Sequence, residues 1–109
     1  MQTSDPNIFA AGEIGSFPNW FSGSNLRLEH SNTAQDQGSY AAWNMLGKML
    51  PYGAIPTLSS YHYGKSLQYV GIADGYDQVH VDGVPRDNNF IAYYIKDNKV
   101  LAACGQGRS

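Results

Sequence analysis

The residue types that most often carry catalysis or bind metals are few and scattered in this sequence. The three histidines lie at no spacing typical of a metal site, and the single Cys104 can form neither an internal disulfide nor a redox pair. No serine lies in a G-x-S-x-G nucleophile motif. Gly64-Lys65-Ser66 resembles the end of a phosphate-binding loop, but Ser59 occupies the position of that motif's first glycine. These residues indicate no catalytic or metal centre by themselves.

The composition predicts one compact domain or part of a larger one, since a typical domain has roughly 150 residues and this chain has 109. A hydrophobic content of 42% is enough for a core, whereas only 15% of the residues are charged and the net charge is −2. We interpret the weakly charged surface as one that something else partly covers, and we expect no nucleic-acid partner. The lone cysteine, the absence of a signal peptide and the absence of a long apolar run predict an intracellular protein, cytoplasmic or mitochondrial, without a membrane span.

The first half of the chain predicts a strand, a long loop and a helix. Residues 8–11 form a short apolar run typical of a strand buried on both faces. Residues 13–28 are rich in glycine, serine, asparagine and aromatics and predict a long loop. A helix is expected after an N-cap at Ser31 or Asn32, with Gln35 as capping-box partner, and Gly47 ends it. One helix face carries only small residues, which indicates tight packing or, alternatively, ligand contact: Ala34, Gly38, Ala41 and Ala42.

After Pro56 the pattern changes to period two and predicts an antiparallel meander. The expected strands are residues 67–72, 78–82, 89–96 and 99–104, with a two-residue turn at Asp97-Asn98. Alternation places one set of side chains on one face, Phe90, Ala92, Tyr94 and Lys96, and another set on the opposite face, Ile91, Tyr93 and Ile95. The fold class is therefore α+β, a helix followed by a mainly antiparallel sheet, with a boundary near residues 48–58.

An ordered set of segments resembles FAD-dependent pyridine nucleotide oxidoreductases. Residues 8–13, Ile-Phe-Ala-Ala-Gly-Glu, are similar to a strand late in those chains that ends in Gly-Asp. The similarity continues, in order, through residues 27–30, 34–38, 41–42, 44–47, 63–71 and 90–97. The resemblance is to the branch that contains ferredoxin and rubredoxin reductases and apoptosis-inducing factor-like proteins. It implies the C-terminal part of such a protein: the last strand and helix of the FAD-binding domain in residues 1–50, then the C-terminal reductase or interface domain in residues 51–109.

The resemblance also implies a cofactor site for FAD in the first fifty residues. The family's Gly-Asp approaches the FAD, and its carboxylate accepts a hydrogen bond from a ribityl hydroxyl. The following helix directs its N-terminus at the pyrimidine end of the flavin. The implied cofactor-binding residues are Gly12, Glu13, Glu29, His30, Ser31 and Ala34. Without the resemblance, the two glutamates are interpreted as ordinary loop acids and the helix start as merely capped.

Two positions depart from the family pattern after Pro56, where Ser59 stands for a tryptophan beside the flavin and Tyr61 stands for an aspartate.

NAD(P)H is the implied co-substrate, but both G-x-G-x-x-G fingerprints lie upstream in the family, so this chain is expected to have no turnover alone. The implied partners are the remainder of the flavoprotein, a ferredoxin or Rieske-type electron carrier, and a second copy in a homo-oligomer. The alternative is an interaction module on the same scaffold that has lost flavin chemistry.

Overall fold

The computed structural model describes residues 1–19 and 23–107. Contacts divide the chain into two compact units, an N-terminal unit, Met1–Ala54, and a C-terminal unit, Ile55–Ser109. The elements are β1 Phe17–Pro18, β2 Asn25–Leu26, α1 Ser31–Met45, β3 Thr57–His62, β4 Lys65–Gly71, β5 Gln78–Val84, a 3-10 turn Pro85–Asp87, β6 Asn89–Lys96 and β7 Lys99–Gln106. One helix with a mainly antiparallel sheet confirms the predicted α+β class. The predicted domain division at residues 50 and 51 stays a prediction.

The strand predicted at residues 8–11 is not formed. The segment makes one isolated bridge, between Gln2 and Phe9, and the Thr3 amide donates to the Ile8 carbonyl oxygen at 2.9 Å. Ile8 remains 55% exposed. A strand that is buried on both faces lies within a sheet that is covered on both sides, and here the segment pairs only with the first residues of the chain. The apolar run is therefore present without the ladder that would make it a strand.

The predicted long loop contains a short hairpin. β1 and β2 pair antiparallel, with Phe17 opposite Leu26. Residues 20–22, also part of that predicted loop, lie outside the described residues. The ring of Phe17 is buried and packs edge-on against Tyr52, with 5.2 Å between centroids. This aromatic contact fixes the hairpin, and no alternating pattern in the sequence marks it.

Helix α1 begins earlier than either predicted cap. Its N-cap is His30, with extended backbone angles, and no side chain caps the first turn. Ser31 and Asn32 lie inside the helix and are exposed, so the predicted capping box from Asn32 to Gln35 is wrong. A residue with helical backbone angles cannot serve as the N-cap. The first-turn amides of α1 are consequently left without a capping side chain.

The buried face of α1 is mostly polar and consists of Thr33, Gln37, Ala41 and Asn44. Among the small residues predicted to pack tightly, Ala41 is buried and Ala34 half-buried, whereas Gly38 and Ala42 are exposed. The predicted packing face is therefore wrong at Gly38 and Ala42. Buried polar side chains need hydrogen-bond partners, so this face restricts the position of the segments packed against it more than an apolar face would.

The end of α1 is fixed by a Schellman motif and a side-chain clamp. Gly47, with φ of +88°, donates its amide to the Asn44 carbonyl oxygen, and the Lys48 amide reaches the Trp43 carbonyl oxygen at 3.1 Å. The Asn44 side chain then holds Leu50 twice: Oδ1 accepts from the Leu50 amide at 2.6 Å, and Nδ2 donates to its carbonyl oxygen at 3.0 Å. The predicted stop at Gly47 is confirmed.

The C-terminal unit is a five-stranded antiparallel sheet in the order β3-β4-β7-β6-β5. The predicted meander holds for β5, β6 and β7, but β4 pairs with β7 and not with β5. The strand order is that of a Greek key. Close approach between β4 and β7, where Gly71 lies opposite Ala102, accounts for the difference.

Two tight turns set the registers of the hairpins in this sheet. Asp97 and Asn98 both have positive φ, of 50° and 62°, which confirms the predicted two-residue turn between β6 and β7. Tyr63 and Gly64 also have positive φ, of 50° and 74°, and join β3 to β4. β3 was not predicted, because the consecutive polar residues Ser59 and Ser60 interrupt any alternation of polar and apolar side chains.

The faces of β6 alternate as predicted. Tyr94 contacts Tyr69 and Tyr76 on one face, with ring centroids 6.3 and 5.1 Å away, and Tyr93 stacks with His80 on the other. A β-bulge interrupts the β6–β7 register after Tyr94. At the centre of the first face lie the buried Ala92 and Ala102 and the half-buried Cys104, and burial raises the pKa of the Cys104 thiol.

Gly71→Ala tests the close approach between β4 and β7. Gly71 has φ of +98°, and an added Cβ would overlap the Leu101 carbonyl oxygen and lie 2.8 Å from the Ala102 Cα. We expect the free energy of unfolding in urea to fall by about 2 kcal/mol or more, because positive φ and overlap both disfavour alanine. Gly64→Ala is the matched control, since φ is +74° with nothing within 4 Å, and it should cost about 1 kcal/mol. Equal losses would contradict close approach as the cause.

Asn44→Ala tests the clamp after α1. The substitution removes two hydrogen bonds to Leu50, and we expect a loss of about 2 kcal/mol of unfolding free energy, since each bond contributes about 1 kcal/mol net. Ser39→Ala is the control on the same helix, because Ser39 is exposed and its hydroxyl makes one long 3.5 Å bond. It should change stability by less than about 0.5 kcal/mol. Indistinguishable denaturation curves for both variants would rule out the clamp as a determinant of stability.

Candidate functional site

Gly12 and Gln37 form the centre of the candidate site. The Gly12 amide donates to Oε1 of Gln37 at 2.8 Å, and the Gln37 side chain is 1% exposed. Gly12 has φ of +92°, a conformation that favours glycine, and an added Cβ would lie 3.7 Å from the Cβ of Ala34. The segment that follows residue 11 is therefore held against the first turns of α1 by a side chain from that helix.

Arg27 joins the two glutamates that were predicted as site residues. One guanidinium nitrogen donates to the Glu13 carbonyl oxygen at 3.1 Å, and the other lies 2.9 Å from Oε1 of Glu29. Arg27 and Glu29 are both more than half exposed, so their ion pair contributes little to stability. The contact positions the two segments, and the Glu13 side chain itself is exposed.

The start of α1 leaves polar atoms without partners. Within the described part of the chain, Nδ1 of His30 and Nε2 of Gln37 are buried and make no hydrogen bond. A buried donor without an acceptor costs about 1–3 kcal/mol. The side chain of Thr33 contributes no cap either, and it hydrogen-bonds to the phenol of Tyr52 instead. Burial, with the nearby Asp36 carboxylate, raises the pKa of that phenol, and the Thr33 hydrogen bond lowers it.

The structure brings most of the predicted site residues together in the N-terminal unit. Gly12 lies beside Ala34, Glu13 and Glu29 share Arg27, and His30 accepts the Ala34 amide at its carbonyl oxygen, 3.0 Å away. Ser31 occupies the first position of the helix and is exposed. Arg27 and Gln37 were not predicted as site residues. The recurrence of polar residues at helical spacing, positions 33, 37 and 44, was the signal for Gln37.

This arrangement suits a ligand with hydrogen-bond acceptors and negative charge. The N-terminus of a helix carries roughly half a positive elementary charge and presents amide donors. Nε2 of Gln37 adds a buried donor. Across residues 1–19 and 23–107, no three His, Cys, Asp or Glu side chains converge as metal ligands. No helix in the same residues is long and apolar enough to cross a membrane.

An apolar cavity of about 930 Å³ lies elsewhere in the N-terminal unit. Its wall includes Phe9, Phe17, Met49, Leu50 and Tyr52. None of the predicted site residues lines it, so the cavity is separate from the site at Gly12 and Gln37.

Comparison with known proteins gives consistent matches along nearly the whole chain. The family described as Reductase C-terminal matches residues 60–109. Apoptosis-inducing factor 3 of Mus musculus is 37% identical over 103 residues, which is 94% of this chain and 17% of that protein. A ferredoxin–NAD(P)(+) reductase of a Sphingomonas species is 35% identical over 93% of this chain and 25% of its own length. The chain thus spans about a quarter or less of these relatives.

A solved structure shows the same fold. The covalent complex of putidaredoxin reductase with putidaredoxin contains a chain that matches with a TM-score of 0.89 and 32% identity, covering 99% of this chain and 26% of the other. The architecture and the ordered sequence segments therefore indicate the same family. The chain belongs to the FAD-dependent pyridine nucleotide-disulphide oxidoreductases, in the branch of ferredoxin reductases and apoptosis-inducing factor-like proteins, and corresponds to their C-terminal part.

Proposed function

We propose that this chain supplies one side of the FAD site in an NAD(P)H-dependent oxidoreductase that passes electrons to a ferredoxin-type carrier. The observation that carries the proposal is the contact of Gly12 with Gln37 beside an uncapped helix start. It unites two segments, residues 8–13 and 34–38, that resemble flavin-binding segments of the family. The N-terminal unit would form the cofactor contact, and the C-terminal unit would be the reductase C-terminal domain.

The residues present fit a flavin. FAD has carbonyl oxygens, ring nitrogens and ribityl hydroxyls, and these can accept the hydrogen bonds that Nε2 of Gln37 and the first-turn amides of α1 leave unmade. Gly12 and Ala34 present small surfaces, so a planar ring could approach the backbone closely. When bound, FAD supplies the two-electron chemistry that protein side chains lack. The chain would hold it through Gly12, Glu13, Ala34 and the helix start at His30 and Ser31.

Each of these groups has a definite task in the proposed site. The Glu13 carboxylate would accept a hydrogen bond from a ribityl hydroxyl and so help to position the cofactor. The N-terminus of α1, with its partial positive charge, favours negative charge at the pyrimidine end of the ring. Arg27 keeps the Glu13 backbone in place. Hydride delivery from NAD(P)H requires nucleotide-binding motifs that this sequence lacks, so we expect the isolated chain to have no turnover.

The electron acceptor is proposed by similarity. One matched solved structure is a covalent complex of putidaredoxin reductase with putidaredoxin. We therefore propose a ferredoxin or Rieske-type carrier as the partner of the longer flavoprotein. The unpaired Cys104 supports a reducing intracellular compartment, cytoplasmic or mitochondrial.

A second candidate function is an interaction module that no longer binds flavin. Ser59 is exposed on β3, at the position where the family has a tryptophan beside the flavin, and Tyr61 is 71% exposed. A stacking ring that excludes water is missing there. Flavin content of the purified longer protein separates the two functions, because only the first predicts a yellow protein that absorbs near 450 nm.

Glu13 gives a direct test of the cofactor site. In the longer flavoprotein, Glu13→Ala should weaken FAD binding by roughly 10- to 150-fold, since a charge-assisted hydrogen bond contributes about 1.5–3 kcal/mol. Glu13→Asp should bind FAD more tightly than Glu13→Ala, because it keeps the carboxylate. Asp74→Ala, an exposed acid of the C-terminal unit, is the control and should leave FAD binding unchanged. FAD dissociation constants measured by fluorescence distinguish these outcomes, and equal values for all variants would reject the proposed site at Glu13.

Gln37→Met tests the buried amide. In the isolated chain the free energy of unfolding should change by less than about 1 kcal/mol, because losing the Gly12 bond is offset by removing a buried, unpartnered donor. In the longer flavoprotein FAD affinity should fall about tenfold, the effect of roughly 1.4 kcal/mol. Gln35→Met, an exposed glutamine on the same helix, should alter neither quantity. A large loss of stability with unchanged FAD affinity would mean that Gln37 has a structural role only.

A further inference from the structure

β5 is an edge strand with an open backbone side. Its one neighbour in the sheet is β6, and all seven residues from Gln78 to Val84 are exposed. Its alternating valines, Val79 and Val81, are each nearly half exposed. Edge strands of soluble proteins are usually protected by lysine, proline, bulges or a covering element. No lysine or proline lies within β5.

The sequence of β5 is self-complementary when two copies pair antiparallel about Val81. In that register Val81 of one copy lies opposite Val81 of the other, and Val79 lies opposite Gly83. His80 then lies opposite Asp82, and by symmetry Asp82 lies opposite His80 of the first copy. Directly opposite side chains on one face are about 4.5–5.5 Å apart at Cβ, close enough for a charged or hydrogen-bonded pair. The register thus forms two imidazole–carboxylate pairs around an apolar centre.

His80 is already positioned for this pairing. Its ring stacks on Tyr93 of β6, with an interplanar angle of 26° and 6.3 Å between centroids. His80 and Asp82 are two residues apart on the strand, so both side chains project from the same face of the sheet. A second strand added at this edge would bring its own carboxylate alongside a supported imidazole.

The opposite edge of the sheet lacks this complementarity. β3, Thr57–His62, contains no carboxylate. Its one titratable imidazole, His62, therefore has no acidic partner in any self-paired register. Both edge strands present backbone groups at the edge of the sheet, so β5 is preferred over β3 because of its charge pattern.

We propose that β5 pairs antiparallel with β5 of a second copy of this chain, which joins two five-stranded sheets into one ten-stranded sheet. Val81 lies on the twofold axis, and His80 and Asp82 fix the register. Edge-to-edge pairing is an isologous contact and closes at two copies, so the expected assembly is a dimer and not a fibre. The proposal does not depend on flavin binding.

The test is the oligomeric state of the chain across a dilution series in analytical ultracentrifugation. The unsubstituted chain should show a reversible monomer–dimer equilibrium. Val81→Lys places two like charges opposite each other, and we expect the dimer dissociation constant to rise about tenfold or more. Val100→Lys is the matched control, because Val100 is 60% exposed and lies on β7 away from this edge. It should leave the equilibrium unchanged, and circular dichroism should show that both variants fold.

A charge exchange tests the register. His80→Asp places carboxylates opposite each other and should weaken the dimer, whereas the double variant H80D/D82H restores both pairs in reversed order and should recover dimerisation. A chain that stays monomeric at several hundred micromolar would overturn the proposal, as would a dimer that Val81→Lys leaves intact. Dimerisation that Val81→Lys abolishes but H80D/D82H fails to recover would overturn the proposed register.

Discussion

The position of Gly12 against α1 depends on one hydrogen bond, from the Gly12 amide to the Gln37 side chain. Residues 8–11 have no strand ladder to hold them, so their position against α1 rests on contacts from side chains. Gln37 is also the most buried polar residue of the helix, which means that its amide cannot turn to water. A single group thus fixes the glycine that resembles the family's flavin contact and keeps an unused donor beside it.

The C-terminal unit follows a different constraint, because it contains no α-helix among the described residues. Apart from Pro56, its buried side chains are the alanines Ala92 and Ala102, and no large apolar side chain of the described residues is buried there. Stability therefore comes mainly from strand pairing and from aromatic contacts such as that of Tyr69 with Tyr94. Small side chains at the centre let β4, β6 and β7 pair closely, and the same property leaves both faces accessible.

Local patterns predicted much of this architecture. The turn at Asp97-Asn98 and the stop at Gly47 were predictable because a short segment contains the whole cause. The missing strand at residues 8–11 and the insertion of β7 beside β4 depend on distant neighbours, which no local pattern encodes. The N-cap at His30 was hidden for another reason: Ser31 is by type the better capping residue, and the contact of Thr33 with Tyr52 that accompanies the earlier helix start joins residues distant in sequence. At the site, the resemblance led to Gly12 and Glu13, whereas Gln37 required knowledge of which helix face is buried.

The Greek-key order also has a kinetic consequence. The hairpins β3–β4 and β6–β7 join residues that are near in sequence through turns with two positive-φ residues, and such hairpins form in roughly microseconds. β4 and β7, in contrast, meet only after a segment of about thirty residues has closed, and that closure costs chain entropy before any contact offsets it. Until then both inner strands are open edges. Gly71 lies opposite Ala102, the β4–β7 pair with the smallest separation in sequence, so closing the segment at this pair costs the least chain entropy.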